Sequence, residues 1–173
     1  MAAEKLIDIG SLKGRGRQHV LSILGGTFIM IDESYNASPA SMKAAIEVLG
    51  DANVDDAGRK IAVLGDMLEL GSQAISIHES LVESLSENQI DLVFTTGQYM
   101  SALSDVLPSH MRGGHATTSL KLSPMVRSVI RPGDVVTIKG SLGSKTGLIV
   151  DELLKLECDL GSDTPLCHMA NGN

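Results

Sequence analysis

Residues able to bind a phosphate or a zwitterion follow four apolar runs of the sequence. Small residues, acids, a lysine and backbone amides at helix starts are the groups that such ligands need. Asp32 and Glu33 also have a structural interpretation as turn residues, Tyr35 as a cover for a sheet edge and Asp66 as a brace for its own turn. The four sets are Asp32, Glu33, Ser34, Tyr35 and Asn36; Gly65, Asp66 and Met67; Thr95, Thr96 and Gly97; and Lys139, Gly140, Ser141 and Gly143.

Other motifs exclude several familiar kinds of site. The segment at residues 139–146 comes near the phosphate-binding G-x-x-x-x-G-K-[ST] loop, but Lys139 and Ser144 stand where its two glycines belong. The chain has no G-x-S-x-G elbow and no H-E-x-x-H helix. Cys158 and Cys167, even with the adjacent histidine, offer too few ligands for structural zinc, so we predict no metal site.

Apolar periodicity places the four polar sets at strand ends and helix starts. The strand over residues 27–31 leads to a helix that Ser38 caps and that runs from Pro39 to Gly50. Other strands are predicted over residues 19–24, 60–64, 91–94 and 135–138, with a short one near residues 115–117. Other helices are predicted over about residues 73–87, 99–106, 123–130 and 144–156.

Side-chain spacing also orients two of these helices. In the helix over residues 73–87 the apolar positions face the sheet, and His78 is interpreted as a histidine on the helix surface. The other helix begins at Ser123 and Pro124, and we expect it to turn Met125 inward.

Strands separated by helices predict right-handed crossovers and a mainly parallel sheet with helices on both faces. A Gly-Gly pair between the first two strands predicts an antiparallel N-terminal edge hairpin. The predicted fold class is therefore α/β and Rossmann-like, with ligands at the carboxyl ends of the strands. We expect residues 1–13 to be a remnant of a preceding domain or linker, residues 14–156 to be the domain, and residues 157–173 to be a disordered tail.

Composition and charge argue against some classes of binding partner. The chain has 173 residues, with 14 basic and 21 acidic side chains and a net charge of −7. This balance argues against nucleic acid or a membrane surface as a partner found by bulk electrostatics. No apolar run approaches the roughly 18 residues of a membrane span and no signal-peptide pattern opens the chain, so we expect a cytoplasmic protein without membrane insertion.

Three stretches together resemble the C-terminal domain of the Mur ligases. They read D-E-S-Y-N-A-S-P-A-S-M-K-A-A over residues 32–45, A-V-L-G-D-M-L-E-L-G over residues 62–71 and P-G-D-V-V-T-I-K-G-S over residues 132–141. Their order and spacing also fit, and the resemblance covers about residues 13–156. The G-D-M-L-E-L-G string resembles the motif found in the branch of the family that adds D-alanyl-D-alanine.

The resemblance implies an ATP-dependent, ADP-forming amide ligase of peptidoglycan synthesis. The carboxylate of a UDP-N-acetylmuramoyl-tripeptide becomes an acyl phosphate, the amine of D-Ala-D-Ala attacks it, and phosphate leaves. Such ligases have a UDP-sugar domain, a central P-loop ATPase domain that binds most of the ATP and Mg²⁺, and a C-terminal domain that closes over ATP and brings the amine. Since this sequence lacks a P-loop, we expect a piece of a longer ligase that is inactive alone.

The resemblance also implies roles for individual residues, although none is matched to catalysis or to a metal. Glu33 stands where the family often has Asp, and Ser38 where it commonly has Asn. The residues matched to ATP binding are Arg15, from an interdomain Gly-Arg pair, and Asp32 or Glu33 with Tyr35 and Asn36. The residues matched to the acceptor-substrate site are Asp66, Lys139, Gly140 and Ser141.

Two other interpretations are open at this point. One is a standalone Rossmann-like nucleotide-binding module without catalysis. The other is a relative such as folylpolyglutamate synthetase, which shares the architecture but lacks the G-D-M-L-E-L-G and S-Y-N-A-S-P strings. A P-loop domain encoded upstream of this chain would distinguish a ligase domain from the standalone module.

Overall fold

The computed structural model describes residues 13–159, which contain a six-stranded sheet. The strands are β1 (Arg17–Ile23), β2 (Gly26–Glu33), β3 (Lys60–Gly65), β4 (Leu92–Thr96), β5 (Arg112–Ala116) and β6 (Val135–Lys139). Their order is β1-β2-β6-β3-β4-β5; β1 pairs with β2 antiparallel, and the other neighbours are parallel. The expectations for residues 1–12 and 160–173, including Cys167, lie outside the described residues, as does the side chain of Cys158.

Helices cover both faces of this sheet. They are α1 (Pro39–Gly50), α2 (Ala74–Glu79), α3 (Leu81–Glu87), α4 (Met100–Val106), α5 (Ser119–Val129) and α6 (Gly147–Cys158). Short 3₁₀ turns occupy Gly71–Gln73, Ser109–Met111 and Leu142–Ser144. The mainly parallel sheet, its helices and the antiparallel edge hairpin confirm the predicted fold class.

Alternating strand residues divide the core into two layers, because successive side chains point to opposite faces of a sheet. The central strands β3 and β6 are buried on both faces, as parallel strands under helices require. One layer joins Ile31, Ala62, Leu64 and Val93 to Met42, Ile46, Leu49, Leu81, Leu85, Met100 and Leu103 of α1, α3 and α4. The other joins Met30, Ile61, Val63, Phe94, Val136 and Ile138 to Leu122, Val126, Ile149, Val150 and Leu153 of α5 and α6.

Helix α1 forms as predicted. Ser38 is its N-cap and accepts a hydrogen bond from the Ser41 N–H at 3.2 Å, while the Ser38 N–H donates to Ser41 Oγ at 2.9 Å. Pro39 occupies the first helical position, where its missing N–H costs nothing. This cap fixes where the chain leaves the polar loop after β2.

Helix α5 begins earlier than predicted. Its N-cap is Thr118, whose side chain accepts a backbone N–H three residues on, so Pro124 lies inside the helix. The predicted start was wrong because a full turn already precedes the proline, which then removes one hydrogen bond without ending the helix. Leu122 and Val126 are buried, whereas Met125 is 37% exposed and does not turn inward as expected.

Two other predicted helices also have different bounds in the structure. The helix expected over residues 73–87 is divided into α2 and α3 at Ser80, whose hydroxyl donates to the Ile77 carbonyl at 2.7 Å. Helix α6 begins at Gly147 and not near residue 144, because Lys145 has a left-handed φ of 56°. It continues to Cys158, beyond the predicted end at residue 156.

An ion-pair network joins α5 to α6. Arg127 Nη1 lies 2.8 Å from Glu152 Oε1, and Lys155 Nζ lies 3.0 Å from Glu152 Oε2. The hydrogen bond from Lys155, and then that from Arg127, lower the pKa of Glu152 against the opposing effect of burial. A lowered pKa favours the ionised carboxylate in the folded chain, so this stabilisation is lost as the pH falls through that pKa.

None of the helices within residues 13–159 is both long enough and apolar enough to cross a membrane.

Candidate functional site

The polar connections after β2, β3, β4 and β6 lie together at the carboxyl edge of the sheet, as predicted. Strand β6 pairs with both β2 and β3, so Lys139 lies beside Glu33 on one side and Leu64 on the other. The connection between β5 and α5 joins the same edge. Clefts of about 310, 440 and 480 Å³ open along it.

The small cleft, of about 310 Å³, is built around the side chain of Lys139. The Lys139 ammonium donates to the Asn36 carbonyl at 2.8 Å and lies 3.3 Å from Glu33 Oε2. The Lys139 side chain is 3% exposed and that of Glu33 is 31% exposed. A buried ammonium needs an opposite charge beside it, so Glu33 and Lys139 form a unit. The cleft is lined by Gly14, Arg15, Glu33, Asn36, Ser41 and Lys139.

Asp32 is buried beside this cleft, and its carboxylate binds groups of the protein itself. Oδ1 accepts the Ser34 N–H at 3.1 Å and the Ser34 hydroxyl at 2.6 Å, and Oδ2 accepts the Gly14 N–H at 3.0 Å. Gly14 has a φ of 79°, and a Cβ there would lie 2.8 Å from Tyr35 Cβ, so glycine is required. The structure therefore favours the interpretation of Asp32 as an acid that holds its loop.

Arg15 lies over the ring of Tyr35, with Cζ 4.6 Å from the ring centroid. The Tyr35 N–H donates to the Gly14 carbonyl at 3.1 Å, which holds the two segments side by side. This cation–π contact orients an exposed guanidinium that lines the small cleft. The structure thus brings Arg15, Glu33, Tyr35 and Asn36 together around one loop, as the family resemblance implied.

The large cleft, of about 480 Å³, lies among the connections after β3, β4, β5 and β6. Two of its lining side chains carry charge, those of Asp66 and Lys145. Thr96 is 1% exposed, and its Oγ1 has no hydrogen-bond partner in the part of the chain that the structure describes. The other lining residues are Leu68, Gly97, Gln98, Thr117, Thr118, Ser119, Leu120, Gly143, Ser144 and Leu148.

Asp66 and Ser141 connect the walls of the large cleft. Asp66 Oδ1 accepts the Met100 N–H at 2.8 Å, which fixes the start of α4. The Ser141 N–H donates to the Asp66 carbonyl at 3.1 Å, and Ser141 Oγ accepts the Leu68 N–H at 3.1 Å. Gly140 lies at the same junction, where a Cβ would come 2.8 Å from Thr146 Cγ2. Asp66, Gly140 and Ser141 therefore lie together as predicted.

Lys139 does not join this group, although we matched it to the same site as Asp66. Its ammonium turns into the small cleft, and it is absent from the lining of the large one. The cation of the large cleft is Lys145, which the sequence places only within the near match to the P-loop. Sequence spacing carries no signal that would have separated the two lysines.

His78 is fully buried, so its interpretation as a surface histidine was wrong. Nε2 accepts the Met67 N–H at 3.0 Å and Nδ1 donates to the Ala74 carbonyl at 2.6 Å, an arrangement that requires the neutral ring. The ring also stacks on Tyr99 with centroids 5.7 Å apart. A signal was present, since His78 follows the apolar Ala74 by four residues and so shares its face. His78 holds the loop that carries Asp66.

We expect Gly97→Ala to destabilise the 173-residue chain by about 2 kcal/mol. Gly97 has a φ of 114°, and a Cβ there would overlap the Asp66 carboxylate. Gly71→Ala is the matched control, because Gly71 has a φ of 63° but a Cβ would meet nothing within 4 Å. The control should cost about 1 kcal/mol. Urea unfolding measures both variants, and equal costs would contradict the close packing of Gly97 on Asp66.

No group of three or more His, Cys, Asp or Glu side chains within residues 13–159 could hold a metal ion.

Comparisons with known proteins agree with this architecture. Residues 16–142 match the family described as the Mur ligase, glutamate ligase domain, a range that contains all six strands. The UDP-N-acetylmuramoyl-tripeptide–D-alanyl-D-alanine ligase of Rickettsia prowazekii is 33% identical over 151 residues, which cover 87% of this chain and 32% of that ligase. The ligase of the same name from Bacillus subtilis is 33% identical over 150 residues, covering 85% of this chain and 32% of its own length. The chain therefore spans about a third of the length of these curated relatives.

Solved structures give the same result. The MurF ligase from Thermotoga maritima in complex with ADP matches with a TM-score of 0.69 and 25% identity, over 88% of this chain and 33% of that one. A MurF crystal structure from Acinetobacter baumannii matches with a TM-score of 0.68 and 28% identity, over 83% of this chain and 31% of that one. Since the family match covers more than half of the sequence, the chain belongs to the Mur ligase family, and the part that matches is the glutamate ligase domain.

Proposed function

We propose that this chain is the C-terminal domain of an ATP-dependent ligase that joins D-Ala-D-Ala to UDP-N-acetylmuramoyl-tripeptide in peptidoglycan synthesis. The observation that carries the proposal is the 33% identity, over 151 residues, to a ligase named for this reaction. The presence of the small and the large cleft at one sheet edge supports it, because an amide ligase must bring a nucleotide and an amine to the same carboxylate. The domain corresponds to residues 14–156, and the ligase works in the cytoplasm, where ATP and UDP-sugars are available.

The small cleft is proposed as one wall of the ATP site. Arg15 is the exposed cation that would reach a phosphate, and its stacking on Tyr35 limits its motion. Glu33 and the Asn36 loop are held in place by Lys139. Asp32 acts indirectly, since its carboxylate holds the segment that presents Arg15. The MurF ligase from Thermotoga maritima was solved in complex with ADP, which supports a nucleotide site in this family.

The large cleft is proposed as the site of the incoming dipeptide. Its volume of about 480 Å³ falls in the range of small-molecule sites. Asp66 supplies a carboxylate that attracts the ammonium of D-Ala-D-Ala, while Gly140 and Ser141 hold the cleft's walls together. Lys139 is not proposed as part of this site. Its proposed role is to support the small cleft, the proposed wall of the ATP site, by binding Glu33 and the Asn36 carbonyl.

The chain's own residues bind and position the substrates. ATP supplies the phosphoryl group that activates the tripeptide carboxylate. Mg²⁺ would neutralise phosphate charge, and the family resemblance implies that the central ATPase domain holds it together with most of the ATP contacts. Arg15 would orient a phosphate, and Asp66 would hold the amine near the activated carboxylate. The UDP-sugar substrate and the central ATPase domain are therefore proposed partners of this chain.

The test is an assay of the protein with the sequence that precedes this chain in its gene. With ATP, Mg²⁺, UDP-N-acetylmuramoyl-tripeptide and D-Ala-D-Ala, we expect ADP and UDP-N-acetylmuramoyl-pentapeptide to form in equal amounts. Mass spectrometry measures both products. The 173-residue chain alone should turn over no ATP with the same substrates. Nucleotide binding by the longer protein without product would instead favour a binding module without catalysis.

A further inference from the structure

We propose that Lys145 binds the free C-terminal carboxylate of the incoming dipeptide and makes the site selective for an amine substrate that ends in a carboxylate. This inference rests on the proposed function, because it assigns one end of the substrate within the large cleft. It concerns a residue that lies outside the stretch matched to the family, residues 16–142.

The first argument is the charge of the cleft. Lys145 is the one cationic side chain among the described residues that line the large cleft, and Asp66 is the one anionic side chain. A zwitterionic dipeptide carries the same two charges, in opposite positions. A cleft with one charge of each sign binds such a molecule in one orientation, with the ammonium near Asp66 and the carboxylate near Lys145.

The second argument is that Lys145 is free to bind a ligand. Lys145 is exposed, and no hydrogen bond or ion pair of its ammonium occurs within residues 13–159. It also lines the outer cleft, of about 440 Å³, which contains Asp151. Asp151 lies 3.3 Å from the ammonium of Lys13, so this carboxylate already has a cation beside it. Lys139, in contrast, is paired with Glu33 and is unavailable.

The third argument is the position of Lys145 beside other groups that favour an anion. The Ser119 hydroxyl donates to the Ser144 carbonyl at 2.7 Å, which fixes the residue before Lys145 to the first turn of α5. This helix has 11 residues, and its N-terminal residues also line the large cleft. Backbone N–H groups at a helix N-terminus stabilise a carboxylate. The unpartnered, buried hydroxyl of Thr96 is a further hydrogen-bonding group in this lining.

The backbone of Lys145 adds to this placement. Its φ of 56° lies in the left-handed region, which a lysine occupies at a cost in free energy. Glycine would avoid that cost at the same position. The left-handed residue ends the 3₁₀ turn Leu142–Ser144 and lets the side chain leave the loop before α6 begins.

The experiment compares two acceptors in the complete ligase: D-Ala-D-Ala, and D-alanyl-D-alaninamide, which lacks the negative charge. Lys145→Gln should raise the KM for D-Ala-D-Ala by about tenfold or more and leave kcat within about twofold. The wild-type protein should have a higher kcat/KM for D-Ala-D-Ala than for the amide, and in the variant the ratio of the two kcat/KM values should fall by about tenfold. Lys145→Arg should restore it, because the charge returns.

Lys43→Gln is the matched control, since it removes the same charge from an exposed position on α1 that lines none of these clefts. It should leave both KM values unchanged. A Lys145→Gln protein with an unchanged preference for acid over amide would overturn the role of Lys145 and leave the proposed function intact. Absence of any D-Ala-D-Ala product with the wild-type ligase would overturn the proposed function, and the inference with it.

Discussion

Lys139→Met in the complete ligase should lower kcat/KM by at least about 100-fold, or about 2.7 kcal/mol. Methionine keeps the apolar stem but removes the ammonium that binds the Asn36 carbonyl and pairs with Glu33. The loop after β2 then loses its connection to β6, and Glu33 remains without its partner. Breaking a fully buried ion pair lowers the free energy of unfolding by about 3–5 kcal/mol. Because Glu33 is partly exposed, the loss of folding stability in this variant should stay below the upper end of that range.

The substrate dependence of this loss tests the grouping seen in the structure. Lys139 lines the small cleft with Arg15 and Glu33, so the KM for ATP and kcat should change, while the KM for D-Ala-D-Ala stays within about twofold. Steady-state kinetics with each substrate varied in turn measure both. An increase confined to the KM for D-Ala-D-Ala would instead support the assignment made from the sequence.

Lys60→Met is a control for the removal of a half-buried lysine. Lys60 begins β3, at the opposite edge of the sheet, and its ammonium donates to the Gly50 carbonyl. This variant should keep kcat/KM within about twofold of the wild-type value. A loss equal to that of Lys139→Met would mean that activity reports general destabilisation and not the site.

Asp134→Ala should have the largest effect on stability, lowering the free energy of unfolding by about 3–5 kcal/mol. Asp134 is fully buried, and its carboxylate accepts Arg59 Nη2 at 2.7 Å, Arg59 Nε at 3.1 Å and the Arg131 N–H at 2.9 Å. Its removal leaves the Arg59 guanidinium, with a side chain 16% exposed, without its counter-ion. Urea unfolding of the 173-residue chain measures the loss.

Asp151→Ala is the matched control for Asp134→Ala. Asp151 also pairs with a cationic side chain, that of Lys13 at 3.3 Å, but the Asp151 and Lys13 side chains are 49% and 72% exposed. Exposed ion pairs contribute about 0–1 kcal/mol, so the free energy of unfolding should change by no more than that. Similar costs for the two aspartates would show that the Arg59 site is hydrated and not buried as described. Asp134→Asn should fall between the two, since an amide oxygen still accepts a hydrogen bond.

Much of the candidate site could be predicted because it follows from local signals. Apolar runs that stop at polar residues identify the carboxyl ends of β2, β3, β4 and β6, and parallel pairing brings those ends together. The cap formed by Ser38 and Pro39 is also local, which explains why α1 was predicted with its correct ends. Arg15 and Tyr35 are in contact because the hairpin β1–β2 places their segments side by side, whereas the sequence grouped them only through the family resemblance.

Predictions failed where two local signals competed. Pro124 marks a helix start in the sequence, but Thr118 caps the same helix a turn and a half earlier. His78 is polar, yet its ring satisfies a buried N–H and a buried carbonyl, so its hydrogen bonds remove the cost of burial. The burial of His78 depends on the loop after β3, whose Met67 N–H it accepts, and periodicity alone does not describe that contact.

The sequence by itself determined the α/β class, the edge at which the polar residues gather and the family to which the chain is similar, because these depend on pattern and on residue identity. Only the tertiary structure decided which lysine serves which cleft. Lys139 binds groups more than 100 positions away in the sequence. Lys145 has a left-handed backbone conformation and lines two clefts. Charge pairing depends on distances of a few ångströms between side chains remote in sequence, and those distances exist only after the sheet has formed.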